Sequence, residues 1–249
     1  SLRICVAAGA PIPSVVVEQA GKVLNAKIVS AWGMTENGAV TMTCPEDHAN
    51  NFEFWHGKVL PYMEIKVTDF KGNKLPSGQE GNLMVRGASQ FVGYLKRPEL
   101  YGTDEDGWFS TGDLARMDPD GYIRITGRTK DVVIRGGENI PVVEVENLLY
   151  KFPGIADVAL VGCPDERLGE RLCAYVTLDE TATDLTLDQV KAYLTEQQLS
   201  RNYLPEHLEV IEAMPRTASG KIQKFKLREQ AKEVRRWFKS ISRQAVFWV

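Results

Sequence analysis

The sequence predicts a chain of mixed α/β and α+β class, with an α/β unit first, a small antiparallel β-rich segment next and a compact α+β unit last. Three observations predict this order. Two apolar runs flank a helical stretch at the start of the chain. Short runs that alternate apolar and polar residues follow from about residue 57, and beyond residue 127 apolar residues recur at helical spacing between further strands.

The first segment, residues 1–32, combines two strands with an intervening helix. Residues 4–8 form an apolar run that predicts a buried strand, and residues 27–32 predict a second one. Pro13 favours the start of a helix between them. The order strand, helix, strand is typical of a parallel pair, and such a pair needs partners on both faces.

The second segment alternates with the period of a strand. Residues 63–69 and 81–87 are such runs, and residues 114–117 and 122–126 flank the turn sequence DPDG at 118–121. We expect an antiparallel sheet or a small barrel over residues 57–127.

The third segment begins near residues 127–130. Pro141 suits the first position of a helix, on which Val142, Val145 and Leu149 share one face. The further elements expected are strands at 156–162, 171–178 and 207–211, a helix capped by Thr186, and a helix at 223–238. This is a compact α+β unit of the size of an independent domain.

Composition and motifs exclude several classes of function. The 30 basic residues nearly balance the 33 acidic ones, which argues against a nucleic-acid partner. The four cysteines form no CxxC pair, the three histidines form no HExxH motif, and neither a transmembrane run nor a signal peptide is visible, so we expect a cytoplasmic protein without structural zinc. The motifs GxxxxGK[ST], GxGxxG after a strand and GxSxG are absent.

Two polar clusters in the first half could carry chemistry. WGMTE at 32–36 follows a predicted parallel strand, where α/β sheets bind ligands, and its adjacent hydroxyl and carboxylate suit a phosphate oxygen and Mg²⁺. STGD at 110–113 offers a carboxylate that could accept hydrogen bonds from ribose hydroxyls. Taken singly, either cluster could equally be an ordinary polar turn.

Two more clusters lie in the second half. GRTKD at 127–131 precedes IRGGENI at 134–140, whose paired glycines permit either close approach of a ligand or a plain hairpin. PRTASGKI at 215–222 presents a lysine on a Gly/Ser loop, which suits phosphate or carboxylate oxygens but is also typical of a solvated lysine.

In this order, WGMTE, STGD, GRTKDVVIRGGENI and PRTASGKI resemble the motif series of the adenylate-forming superfamily, which comprises acyl-CoA synthetases, luciferases and peptide-synthetase adenylation domains. The resemblance extends to about residue 228. RGGENIP, GYLKRPE and DEDGWFSTGDLARMD are most similar to the acyl-CoA synthetase branch, especially its short- or medium-chain fatty-acyl and cyclohexanecarboxylate ligases.

The resemblance implies two reactions at one site. A carboxylic acid attacks the α-phosphate of ATP, which gives acyl-AMP and pyrophosphate, and the thiol of coenzyme A then displaces AMP. The residues implied to bind the nucleotide are Gly9, Ala10, Pro11 and Trp32 for adenine, and Asp113 and Arg128 for ribose.

The remaining roles implied by the resemblance concern catalysis, the acyl group and coenzyme A. Thr35 would contact the α-phosphate, Glu36 would hold Mg²⁺, and Lys221 would bridge carboxylate and phosphate oxygens. Gly33 stands where acetate-specific members carry a bulky aromatic, so it implies a deeper acyl pocket. The residues implied for the hinge and the pantetheine tunnel are Lys130 and Gly136, Gly137, Glu138 and Asn139.

The same resemblance implies three regions. Residues 1–56 would end a large α/β adenylation domain, residues 57–127 would be its β-rich, barrel-like subdomain, and residues 128–249 would be a mobile C-terminal domain. The phosphate loop and most of the acyl pocket of the family precede the matched region, so we expect this chain by itself not to form acyl-AMP. An adenylation domain that loads a carrier protein, a non-catalytic nucleotide-binding module and a homo-oligomer stay open.

Overall fold

The computed structural model describes residues 1–9, 12, 14–47, 56–182 and 184–232. The chain divides into two compact units, Ser1–Lys130 and Asp131–Val249. Each unit has its own apolar core. The first core includes Leu83, Val85 and Ile123, which are completely buried, and the second surrounds a central sheet.

The first sheet of the first unit contains the predicted parallel pair. Its elements are β1 (Ile4–Ala8), α1 (Ser14–Leu24), β2 (Lys27–Met34), β3 (Gly38–Met42) and β4 (Lys58–Val59). β1 pairs in parallel with β2, and β3 and β4 follow antiparallel. Among the described residues β1 lies at the edge of this sheet, and Ile4 and Val6 are 47% and 56% exposed, so β1 is not the buried strand that its apolar run predicts.

β2 runs two residues beyond its predicted end. Gly33 and Met34 pair with β3, so only Thr35 and Glu36 of the WGMTE motif lie in the turn, which spans residues 35–37. The two strands approach closely at Gly33, where a Cβ atom would lie 2.0 Å from the carbonyl oxygen of Gly38. A side chain at position 33 would therefore collide with the backbone of β3, so the strand pairing itself requires glycine here. The sequence motif did not indicate this requirement.

The second sheet of this unit is antiparallel, as predicted. Its order is β5 (Met63–Thr68), β6 (Gly81–Gly87), β7 (Phe109–Met117) and β8 (Ile123–Arg128). It is an open sheet and not a closed barrel, because β5 and β8 form opposite edges. His56 and Gly57 form backbone hydrogen bonds with Ile123 at the start of β8, and Lys58, the first residue of β4, bridges to Tyr122.

The STGD cluster belongs to β7 and is not a loop. Asp113 lies opposite Arg128 of β8, and the register shifts immediately after Leu114. The pairing with β6 is interrupted within the motif: Ser110 pairs with Met84 and Leu114 with Asn82, so residues 111–113 form a bulge opposite Leu83. STGD therefore forms an irregular stretch of β7 and not a separate polar turn between strands.

The second unit contains a five-stranded sheet with helices. Its elements are β9 (Val133–Arg135), β10 (Glu138–Ile140), α2 (Val142–Leu149), β11 (Ile155–Asp165), β12 (Gly169–Leu178), α3 (Leu187–Glu196), β13 (His207–Val210) and α4 (residues 224–232). The order is β10-β9-β12-β11, with β13 parallel to β12. Residues 233–238 of the predicted last helix lie outside the described residues.

Both faces of this sheet are covered. Val158 and Leu160 of β11 point to a core shared with α2 and α3, while Ala159 and Val161 pack against the side of α4. β11 is consequently apolar at almost every position, as is typical of a strand buried on two faces. Pro141 occupies the cap of α2, one position before the predicted one.

Candidate active site

Two residues predicted to bind the nucleotide, Trp32 and Arg128, donate hydrogen bonds to the carboxylate of a third, Asp113. Asp113 Oδ2 accepts a hydrogen bond from Trp32 Nε1 at 3.0 Å, and Asp113 Oδ1 accepts one from Arg128 Nε at 3.1 Å. The strand pairing places Arg128 opposite Asp113, and Trp32 belongs to the core beneath. The Asp113 side chain is 9% exposed and that of Arg128 is 65% exposed.

This arrangement holds the carboxylate firmly. The Asp113 amide donates to Thr111 Oγ1 at 3.0 Å, and the Thr111 hydroxyl donates to the Leu83 carbonyl at 2.8 Å. An ionised carboxylate is a hydrogen-bond acceptor only, so Asp113 has the chemistry that vicinal ribose hydroxyls require of a partner.

Gly9 lies at the same edge of the first sheet. The parallel ladder ends at the pair Ala8–Ala31, so Gly9, which follows β1, and Trp32, which is still within β2, are the first residues beyond the parallel pairing. Ligands of open α/β sheets bind at such an edge. The predicted residues Ala10 and Pro11 lie outside the described residues.

The turn after β2 is held by a neighbouring segment that the sequence analysis did not assign to the site. Tyr94 Oη donates to Glu36 Oε1 at 2.6 Å, and the Phe91 amide donates to the Glu36 carbonyl at 2.7 Å. The hydrogen bond to Glu36 raises the pKa of Tyr94. Thr35 is exposed. The sequence signal that includes Tyr94 is GYLKRPE, a motif similar to that of the acyl-CoA synthetase branch.

The acidic side chain near the turn after β2, Glu36, fits a magnesium ion that is held mainly by the substrate phosphates. Among the described residues, no group of three or more His, Cys, Asp or Glu side chains could hold a metal. Mg²⁺ commonly uses only one or two protein carboxylates together with phosphate oxygens. A single Glu36 carboxylate, with Oε2 outside the contact to Tyr94, is a fitting ligand.

Lys130 lies between two anchored residues. Thr129 Oγ1 donates to the carbonyl of Gly112 in the first unit at 3.1 Å, and Asp131 pairs with Arg228 Nη1 in the second unit at 2.5 Å. Residues Thr129–Asp131 form a 3-10 turn, and Lys130 is exposed. The backbone on each side of Lys130 is thus tied to a different unit.

The GGEN sequence forms a two-residue hairpin between β9 and β10. Gly136 and Gly137 have φ of +61° and +87°, a left-handed conformation that favours glycine at both turn positions. Asn139 follows on β10 and is exposed. The hairpin that the sequence left open is therefore present.

Glu138 is already engaged within its own unit. Its carboxylate accepts hydrogen bonds from Tyr203 Oη at 2.9 Å and from Asn202 Nδ2 at 3.1 Å. Arg135 donates to the Asn202 carbonyl at 3.0 Å. These contacts brace the hairpin, a role that the motif alone did not indicate.

Lys221 ends a tight turn in the second unit. The turn is closed by an antiparallel bridge between Arg216 and Ile222, and the Thr217 amide donates to the Lys221 carbonyl at 2.9 Å. The Lys221 amide donates to Thr217 Oγ1 at 3.1 Å. The Lys221 side chain is exposed, so it can meet an anionic ligand.

Two family models match parts of this chain. A family model described as AMP-binding enzyme matches residues 1–95, and a second, described as AMP-binding enzyme C-terminal domain, matches residues 144–221. The chain belongs to the AMP-binding enzymes. The predicted resemblance to the adenylate-forming superfamily and its acyl-CoA synthetase branch is confirmed.

Relatives among the AMP-binding enzymes include the medium-chain fatty-acid–CoA ligase of Escherichia coli. It is 43% identical over 231 residues, which cover 92% of this chain and 41% of the relative. The ATP-bound structure of MatB from Rhodopseudomonas palustris is similar with a TM-score of 0.85 and 32% identity, over 92% of this chain and 45% of that one. This chain therefore spans less than half the length of these relatives.

A third similar structure is the anthranilate CoA ligase AuaEII in complex with anthranoyl-AMP. Its TM-score is 0.82 at 29% identity, over 94% of this chain and 45% of that one. The mixed α/β fold thus matches AMP-binding enzymes that were solved with ATP or an acyl-adenylate. Within the described residues, no helix has the length and apolarity needed to span a membrane.

Proposed function

We propose that this chain is the C-terminal portion of an ATP-dependent acyl-CoA synthetase and includes part of its nucleotide-binding site. The enzyme forms acyl-AMP from a carboxylic acid and transfers the acyl group to coenzyme A. The observation that carries the proposal is the buried Asp113 carboxylate, fixed by Trp32 and Arg128 at the edge of a nucleotide-binding fold. Relatives named as acyl-CoA ligases support it.

In this proposal the first unit binds the nucleotide. Gly9, Ala10, Pro11 and Trp32 line the adenine, and Asp113 with Arg128 holds the ribose. Thr35 contacts the α-phosphate and Glu36 binds Mg²⁺. Bound Mg²⁺ offsets phosphate charge.

Lys221 of the second unit supplies the positive charge for adenylation. A carboxylate that approaches a phosphate is repelled, and a lysine between the reacting oxygens lowers that barrier. The second reaction needs different groups at the same place. We propose that the second unit rotates about Lys130 after adenylation, so that Gly136, Gly137, Glu138 and Asn139 line the channel for the pantetheine arm.

The acid is proposed to be a short- or medium-chain or alicyclic carboxylic acid. The name of the E. coli relative, a medium-chain fatty-acid–CoA ligase, supports the size class. Gly33 at the predicted acyl pocket also supports this size class. The close approach of Gly33 to Gly38 is a second, independent reason for glycine at this position. The proposal keeps the cytoplasmic location expected from the sequence.

Half-reactions of the complete protein test this proposal. We expect Lys221→Ala to reduce acid-dependent ATP–pyrophosphate exchange by about a hundredfold, because a positioned charge at the reacting oxygens is lost. Transfer from preformed acyl-AMP to coenzyme A is expected to stay largely intact. Lys226→Ala, which removes an exposed lysine of α4, is the matched control. Equal loss of both half-reactions would contradict the role of Lys221.

Two further measurements separate the alternatives. Acyl transfer to a carrier-protein thiol in place of coenzyme A would favour an adenylation domain that loads a carrier. Specific AMP binding by the complete protein without any turnover would favour a binding module. The 249-residue chain by itself is expected to give no acid-dependent exchange, and a detectable exchange would contradict that expectation.

A further inference from the structure

The direction of the exposed Lys221 side chain depends on the backbone that carries it. Within the turn before it, the Gly220 amide donates to the Thr217 carbonyl at 2.9 Å, and the Thr217 and Ser219 hydroxyls are in contact at 2.9 Å. Gly220 adopts a φ of +83° and leads directly into Lys221. A contact that links this turn to the rest of the unit would therefore determine the position of Lys221.

Arg216 makes such a contact. Its Nη1 donates to the carbonyl of Gly220, and its Nη2 forms an ion pair with Asp157 Oδ2 on β11. One planar guanidinium thus joins the peptide that precedes Lys221 to the central sheet. A charge-assisted, two-armed contact of this kind is both stronger and more directional than a neutral hydrogen bond.

The anchor on the sheet is itself fixed. Asp157 Oδ1 accepts hydrogen bonds from Tyr150 Oη at 2.6 Å and from the Val158 amide at 3.1 Å. The Asp157 side chain is 13% exposed, whereas that of Arg216 is 44% exposed. Burial, together with the bond to Asp157, raises the pKa of Tyr150, so its hydroxyl stays a donor at physiological pH.

The other end of the loop is held separately. Lys224 Nζ pairs at 2.6 Å with Glu146 Oε1, which also accepts the Leu160 amide at 2.7 Å. The Gln223 amide donates to the Pro215 carbonyl at 2.7 Å. Loss of Arg216 would therefore release the turn on one side and leave α4 attached on the other.

We propose that Arg216 is a positioning residue of the adenylation reaction, which holds the Gly220 carbonyl against the Asp157–Tyr150 anchor so that Lys221 is correctly placed. The inference rests on the proposed function of Lys221. Arg216 acts through the backbone and does not itself contact the substrate. A shift of a catalytic group by about 1 Å can cost on the order of a hundredfold in rate.

The test uses Arg216→Ala in the complete protein, with Arg201→Ala, which removes another exposed arginine of the same unit, as control. We expect Arg216→Ala to slow ATP–pyrophosphate exchange about tenfold or more and to leave transfer from preformed acyl-AMP to coenzyme A unchanged. Arg216→Lys keeps a cation beside Asp157 and is expected to recover part of the rate. In the Lys221→Ala background, Arg216→Ala is expected to add no further loss.

Hydrogen exchange of the 249-residue chain gives a second readout that needs no activity. Arg216→Ala is expected to speed exchange of the Gly220 and Lys221 amides about tenfold, with the β11 amides unchanged. Asp157→Asn, which keeps a hydrogen-bond acceptor but removes the charge, is expected to act in the same direction and less strongly. It also serves as the second variant if Arg216→Ala does not fold.

Three outcomes would overturn the inference: unchanged adenylation in Arg216→Ala, equal loss of both half-reactions, or faster exchange throughout the second unit. Failure of the proposed function looks different. There, Lys221→Ala leaves adenylation unchanged, while Arg216→Ala still releases the Gly220 and Lys221 amides. The two failures are therefore distinguishable.

Discussion

At the scale of single residues, the Asp113 carboxylate receives hydrogen bonds from side chains 81 and 15 positions away in the chain. The family resemblance implies that Trp32, Asp113 and Arg128 bind one nucleotide. It did not indicate that the Trp32 indole holds Asp113 directly. Such a contact depends on how β2 lies beneath the second sheet, and the spacing of residues along one strand carries no information on that.

His56 is a second residue whose behaviour only the structure reveals. Its Nδ1 accepts a hydrogen bond from the Ile125 amide at 3.2 Å, so the ring is neutral in the folded protein. Burial, assisted by the charge of Arg124, lowers the pKa of His56 from 6.5 to about 4. Between these values the unfolded chain binds more protons than the folded one. The stability that the neutral His56 contributes is therefore fully present above pH 6.5 and is lost as the pH falls towards 4.

We expect the free energy of unfolding to fall by up to about 3 kcal/mol between pH 7 and pH 4 through His56. In His56→Asn, a neutral side chain with an oxygen near the position of Nδ1, this pH dependence is expected to be weaker. Urea unfolding at pH 7.5 and pH 5, followed by tryptophan fluorescence, measures the difference. Burial also lowers the pKa of His207, so His207→Asn is the control for the second unit. An identical pH slope in wild type and His56→Asn would refute the assignment.

At the scale of elements, local signals located the helices well and the ends of strands less well. The predicted cap Thr186 forms a capping box with Gln189, because a polar side chain at that position satisfies the open amides of the first turn. β2 and β7, in contrast, continue through motifs that local sequence assigns to loops. A strand ends where its partner ends, and the partner comes from elsewhere in the chain.

The capping box permits a direct test. Thr186→Ala is expected to lower the free energy of unfolding by about 1 kcal/mol, since the Gln189 amide loses its acceptor. Thr195→Ala in the same helix is the control. The Thr195 hydroxyl donates to the carbonyl four residues earlier, so its loss is expected to be neutral or slightly stabilising. Equal losses in the two variants, measured by urea unfolding, would show that the cap does not stabilise α3.

At the scale of the whole molecule, the chain consists of two compact units that divide after Lys130. The flanking residues Thr129 and Asp131 are bound to different units. A change of backbone conformation at Lys130 would therefore leave both sets of contacts in place. This is the property that the proposed rotation requires.

Lys130→Pro tests this hinge in the complete protein. Proline fixes φ near −65° and restricts the residue before it. We expect overall acyl-CoA formation to fall about tenfold or more, with one half-reaction retained. Lys130→Ala, which removes the charge but not the rotation, is expected to keep both half-reactions. Unchanged overall turnover in Lys130→Pro would argue against the hinge.

The sequence by itself determined the order of the elements, the family and the residue types of the candidate site. These follow from apolar periodicity and from motifs in a fixed order, both of which are properties of the linear chain. Only the tertiary structure decided that, among the described residues, β1 lies at the edge of its sheet, that the second sheet is open, and that STGD lies within β7. It also revealed the anchors of the site residues, which are Trp32 for Asp113, Tyr94 for Glu36, and Arg216 with Asp157 for the Lys221 loop. The physical reason is that strand pairing and side-chain contacts join residues far apart in the chain, and no local pattern encodes which of them will meet.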